Sequence, residues 1–142
     1  MSTSDSSPTP PWRQVDPPEL GTPVGYSNAI VTQGGTRVFL AGQTAMNAEG
    51  RIEDPGDLLT QTGKALANVA TVLKAAGAEP EHLTRMRIYV LSADEYANHA
   101  RAIGKLYREH FGRWFPAMTL VQVARLYDPD ALIEIETEAV IP

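Results

Sequence analysis

Apolar residues fall into two patterns along this chain: short alternating or continuous runs rich in β-branched residues, and two longer stretches with helical spacing. Residues 27–33 and 37–41 read as short strands around Gly34-Gly35, a dipeptide suited to a tight hairpin turn. Residues 44–46 continue that sheet, and residues 47–57, with Gly50, Pro55 and Gly56, predict a loop. Asp57 then caps a helix to about Ala76. Leu58, Leu59, Thr62, Leu66, Val69, Val72 and Leu73 recur at helical spacing there, and Gly77 stops it. Residues 84–91 alternate as a strand, with Met86, Ile88 and Val90 on one face and Arg85, Arg87, Tyr89 and Leu91 on the other. Ser92 and Glu95 have the spacing of a capping box and open a second helix to about His110.

The last stretch holds two apolar runs, 119–126 and 131–141, on either side of Tyr127-Asp128-Pro129-Asp130, and predicts a hairpin. In its second strand Ile133, Ile135, Ala139 and Ile141 share one side, while Glu134, Glu136 and Glu138 share the other. In its first strand Met118, Leu120, Ala124 and Leu126 oppose Thr119, Val121, Val123 and Arg125, so both faces carry apolar residues and both need cover. The order of elements predicts an α+β domain, a mixed six-stranded sheet with two helices on one face. Helices on one side leave Val38, Tyr89, Val121 and Val123 facing away from them, and an apolar patch of that kind predicts a homo-oligomer.

A chain of 142 residues, 43% of them hydrophobic, is the size of one domain with a real core. Residues 25–142 are assigned to it. Residues 1–24 are proline-rich and polar and predict a flexible arm. Trp12 has two readings there, an anchor on the domain or an exposed indole. A net charge of −5 offers no basic field for a nucleic acid. The absence of cysteine excludes disulfides and thiolate chemistry and fits a reducing compartment. No apolar run approaches the roughly 20 residues of a membrane span and no leader-like segment opens the chain, so a cytoplasmic protein without a membrane partner is expected. His82, His99 and His110 lack metal-ligand spacing, and no glycine-rich phosphate loop is present, so neither metal nor cofactor is expected.

The final stretch also resembles a known family. Phe115-Pro116-Ala117 before a strand, then Val123-Ala124-Arg125-Leu126, a turn and Ile133-Glu134-Ile135-Glu136, is similar to the C-terminal region of the RidA/YjgF reactive-intermediate deaminases. Gly25-Tyr26-Ser27-Asn28-Ala29, Leu40-Ala41-Gly42-Gln43, Leu66-Ala67-Asn68-Val69 and Ala76-Gly77 resemble further segments of that family in the same order. The resemblance implies a chorismate-mutase-like fold, a homotrimer and small-molecule sites in the clefts between subunits. Some members have been called ribonucleases, a label that the charge of this chain does not support.

The resemblance also assigns roles. Glu134 matches a glutamate that positions or activates the attacking water, and a carboxylate set among apolar residues suits a general base. The reading from the residues alone is a solvated face of Glu134, Glu136 and Glu138. Gly42 matches a glycine whose N–H holds the substrate carboxylate, or is a glycine that its turn requires. Tyr26 matches a cleft tyrosine, or is an ordinary half-buried aromatic. Deaminating members carry an arginine after Phe-Pro-Ala to clamp that carboxylate; here Met118 stands in its place, and Leu120 replaces a cysteine. Both make the cleft floor apolar. Arg113, in the loop before the strand, is free to reach the cleft and restore the charge, or is a solvent-exposed loop arginine, and Trp114 is placed beside the ligand. A Rid-like hydrolase or deaminase of an enamine or imine is therefore expected, with a substrate altered by Met118. The alternatives are a non-enzymatic ligand-binding trimer and an enzyme acting on an aromatic or cyclic intermediate.

Overall fold

A computed structural model describes residues 10–142. In chain order it holds β1 (Arg13–Val15), β2 (Ala29–Val31), β3 (Thr36–Phe39), α1 (Leu58–Ala75), β4 (Leu83–Val90), α2 (Ala93–Asn98), α3 (Ala100–Phe111), β5 (Ala117–Gln122) and β6 (Ile133–Ile141). The six strands form two sheets among the described residues. β1 and β2 make an antiparallel ribbon, and the main sheet runs β3-β6-β4-β5. β6 is antiparallel to both neighbours, while β5 is parallel to β4.

The helices start where their caps predict. Asp57 accepts a hydrogen bond from the Thr60 N–H, and Ser92 accepts one from the Glu95 N–H. Past Ala76, Gly77 takes the left-handed conformation that ends α1 (φ 82°). Leu58, Thr62, Leu66, Val69 and Leu73 turn their stripe onto the sheet, where Met86, Ile88, Val90, Ile133 and Ile135 receive it. The second predicted helix is broken at His99, whose φ of −102° and ψ of 11° leave the helical range.

Four expectations need correction. No terminal hairpin forms, because β4 lies between β5 and β6. β5 is delivered parallel to β4 by the α2–α3 crossover, and β6 returns on the other side of β4. There it is a central strand, with its isoleucines buried. Likewise β2 and β3 do not pair across Gly34-Gly35; β2 joins β1, and β3 joins β6.

Of the arm assigned to residues 1–24, residues 1–9 lie outside the described residues. Residues 12–15 of it are built into the domain, while Leu20 and Val24 further along are exposed. Trp12 is buried, its indole N–H donates to the Val140 carbonyl at 3.0 Å, and β1 follows at once. An indole buried with its N–H satisfied outweighs the proline-rich composition around it.

The sheet face away from the helices is also less bare than expected. Tyr89, Leu91 and Val123 pack against a small second core of Ala45, Ile52, Leu126 and Ala131, contributed by the loops that follow β3 and β5. Val38 turns to the main core instead, and Phe39 is the apolar β3 residue left in solvent, 71% exposed.

Candidate functional site

Register decides which side chains share a face. Across the main sheet Ile135, Ile88 and Leu120 stand in one row and Thr137, Met86 and Met118 in the next, both on the helix side. On the other face the rows are Glu134–Tyr89–Val121 and Glu136–Arg87–Thr119. Met118 and Leu120 therefore face away from Glu134 within one chain.

On the helix side, β5 extends the sheet beyond the cover of α1 and α3 and leaves a cavity of about 1100 Å³. Met86, Ile88, Met118, Leu120, Ile133 and Ile135 form its sheet wall, and Leu66, Tyr96, Ile103 and Tyr107 its helix wall. Tyr26 stands at its mouth, 41% exposed. The Tyr26 loop is held from both sides: the Ser27 N–H donates to the Pro116 carbonyl at 3.0 Å, and the Ser27 hydroxyl to the Phe115 carbonyl. Gln14 in β1 donates in turn to that hydroxyl at 2.9 Å, so the ribbon that the sequence reading treats as an arm fixes the mouth. Burial raises the Tyr96 phenol and pushes the Tyr107 phenol well up, so both stay neutral, and the Tyr107 hydroxyl donates to the Trp114 carbonyl.

Three guanidiniums border this cavity, Arg101 and Arg108 on α3 and Arg113 in the loop before β5, and no aspartate or glutamate does. Arg113 was legible in the sequence. Arg101 and Arg108 were not singled out, although seven residues make about two helical turns and put them on one face.

The opposite face carries the second half. Gly42 lies beside β6, held by the Gln43 N–H donating to the Ile135 carbonyl at 2.8 Å and the Ile135 N–H donating back at 2.9 Å. Asn68 of α1 pins the following residues, its amide donating to the Thr44 and Met46 carbonyls at 2.9 and 3.0 Å. The Glu134 side chain packs directly over the Gly42 Cα. A Cβ there would stand 2.9 Å from both Cγ and Cδ of Glu134, so this position admits only glycine while the carboxylate keeps its place. Among the described residues neither the Gly42 N–H nor the Glu134 carboxylate has a hydrogen-bond partner. Glu136 and Glu138 differ, because Arg87 binds them at 2.9 and 3.3 Å.

The expected site is thus split. Tyr26, Arg113, Met118 and Leu120 share the cavity; Gly42 and Glu134 share the other face. Trp114 belongs to neither. It is a core residue, 6% exposed, with its indole N–H donating to the Leu83 carbonyl at 2.8 Å, which corrects its placement beside a ligand. Among the described residues no three His, Asp or Glu side chains gather as a metal site would need. No described helix is long and apolar enough to cross a membrane.

A family model described as Endoribonuclease L-PSP matches residues 18–141. A RutC family protein of Pyrococcus abyssi is 33% identical over 118 residues, which cover 82% of this chain and 87% of that protein. A 2-iminobutanoate/2-iminopropanoate deaminase of Capra hircus is 28% identical over 116 residues, covering 81% of this chain and 79% of that one. Among solved structures, YyfB of Yersinia pestis, a member of the conserved Rid protein family, superposes at a TM-score of 0.82. It is 35% identical, and the match covers 92% of this chain and 99% of that one. The α+β class expected from the sequence is the fold they share.

Proposed function

This chain belongs to the Endoribonuclease L-PSP family, the family of the Rid and RutC proteins, and from that membership we propose that it is a Rid-like hydrolase of enamines or imines. The observation that carries the reading is the Glu134 carboxylate seated on Gly42 with both polar groups free. Glu134 takes a proton from water as the water oxygen attacks the imine carbon. The nitrogen, protonated in turn, leaves as ammonia and the carbonyl compound remains. An enamine enters the same route after its β-carbon gains a proton. The Gly42 N–H donates to the substrate carboxylate, a contact that needs the close approach a glycine permits. The deaminase of Capra hircus supports a 2-imino acid as the substrate type.

The working unit in this reading is a homotrimer with substrate in the clefts between subunits. The split of the site across the two faces of one sheet supports it, since a neighbouring subunit can bring the missing half to each cleft. Exposed Leu120 and Val121 on β5, with Phe39 and Met46, supply apolar surface for the contact. A nucleic acid is not the proposed partner, because the three glutamates of β6 and a net charge of −5 repel a phosphate backbone.

Ammonia release from imines generated in situ tests the reading. Glu134→Gln should lower kcat at least about tenfold, the loss of about 1.4 kcal/mol of barrier stabilisation, with Tm unchanged. Full activity in that variant sinks the assignment. No turnover by the wild type on any imine, with ligand binding retained, favours a small-molecule-binding trimer instead. That outcome is favoured in advance only by the size of the apolar cavity.

A further inference from the structure

We propose that the cavity beneath β5 and α3 binds an amphipathic carboxylate, with an apolar body lying on Met118 and Leu120 and its anionic head taken by Arg101, Arg108 and Arg113. This deepens the hydrolase reading by naming the substrate class, and it rests on that reading for the identity of the cavity as the substrate's place.

Three observations carry it. The first is charge. The cavity is bordered by three guanidiniums and no carboxylate, in a chain whose net charge is −5. Among the described residues the ion pairs are those of Arg87, on the other face, so these three cations have no anionic partner of their own. Cations gathered without counter-charge beside a low-dielectric wall raise the local concentration of anions.

The second is where two of them stand. Arg108 lies in the last turn of α3, where the helix dipole favours a cation. Arg101 lies in the first turn, where the dipole disfavours one, and no acidic residue accompanies it there. Helix electrostatics therefore explains Arg108 but not Arg101. The Arg108 guanidinium is also drawn back along its own helix: its Nη1 lies 3.3 Å from where a Cβ of Gly104 would stand. Gly104, itself a lining residue, is a poorer helix former than alanine and leaves open the space that the guanidinium enters.

The third is size and surface. A cavity of about 1100 Å³ is at the upper end for ligand pockets and far exceeds a four-carbon imino acid. Its sheet wall is apolar apart from Thr119, and Tyr96 and Tyr107 present neutral rings. A guanidinium pairs a carboxylate through two parallel N–H donors, so a charged head at the rim and a hydrophobic body inside satisfy both surfaces together.

Isothermal titration of the full chain with 4-phenylbutyrate, its neutral amide and butyrate tests this. The expected result is that 4-phenylbutyrate binds at least tenfold more tightly than either of the others. Arg101→Gln with Arg108→Gln, and separately Arg113→Gln, should lower that affinity at least tenfold while leaving the weaker binding of the amide unchanged, which also shows that the variants are folded. Equal affinity for acid and amide overturns the proposal. So does wild-type affinity in both arginine variants, or turnover of small 2-imino acids by a protein that does not bind 4-phenylbutyrate. Binding as expected in a protein without imine turnover upholds the carboxylate site and sinks the hydrolase reading.

Discussion

The two faces of the main sheet are made by the same strands, with side chains on alternate residues, yet they are stabilised by different physics. On the helix face Met86, Val90, Ile133 and Ile135 are fully buried under α1 and α3. On the other face Arg87 spans Glu136 and Glu138 with about a third of each side chain exposed, and Glu134 is left unpaired beside Gly42. Burial of apolar area fixes the fold, since half-exposed ion pairs contribute about 0–1 kcal/mol. The charged part of that face, outside the small second core, contributes little to stability and is free to carry chemistry. Only at β5, where the helices no longer reach, does the helix face also become a site.

Unequal consequences follow from equivalent mutations on the two faces. Ile135→Ala should cost about 4 kcal/mol by opening a cavity in the main core, whereas Glu136→Ala should cost under about 1 kcal/mol, both read from urea unfolding. Equal losses would mean that the charged face carries as much of the fold as the buried one. Trp12→Ala should cost about 3 kcal/mol, and deleting residues 1–20 should lower Tm by several degrees, because both remove the indole that closes the end of the sheet at Val140. An unchanged Tm would detach the ribbon from the domain and leave the Tyr26 mouth without its support.

A fourth substitution joins the two faces. Met118→Arg places a cation on the helix side, in the cavity, and should raise kcat/KM on small 2-imino acids at least about tenfold, the equivalent of 1.4 kcal/mol from a charge-assisted pair. The gain should vanish in the double variant Met118→Arg, Glu134→Gln. A gain that survives loss of Glu134 would show that the two half-sites do not act on one substrate.

The smallest expected effect lies at the start of α1. Hydrogen bonds from the Thr60 N–H and hydroxyl hold the Asp57 carboxyl below its ordinary value. A carboxyl lowered in the folded state adds stability that is fully present above its unfolded pKa and is lost as pH falls through the folded value. Asp57→Asn keeps a cap without the charge, so the urea midpoint should lose part of its acid dependence and change little at neutral pH. An unaltered acid limb would show that the cap acts through geometry alone.

The sequence by itself determined most of the elements, though not β1 or the break at His99, because periodicity and capping are local. The Asp57 and Ser92 caps, the stripe of α1, the alternation of β4 and the isoleucine and glutamate faces of β6 all follow from neighbours within a few residues. The motifs around Gly42 and Glu134 likewise brought their residues forward without any coordinates. Trp12 shows the limit, since nothing local distinguishes a docked indole from an exposed one. Tertiary structure alone decided the partners. Only a ten-residue connection separates β5 from β6, short enough for a hairpin, but β4 takes the place between them. A strand has two edges, and its own residues do not say which other strand will fill each. The same indeterminacy split the site. Alternation relates residues within one strand, whereas the face that Met118 shares with Ile88 and not with Glu134 is set by the register between strands, a property of long-range pairing and of the core beneath it.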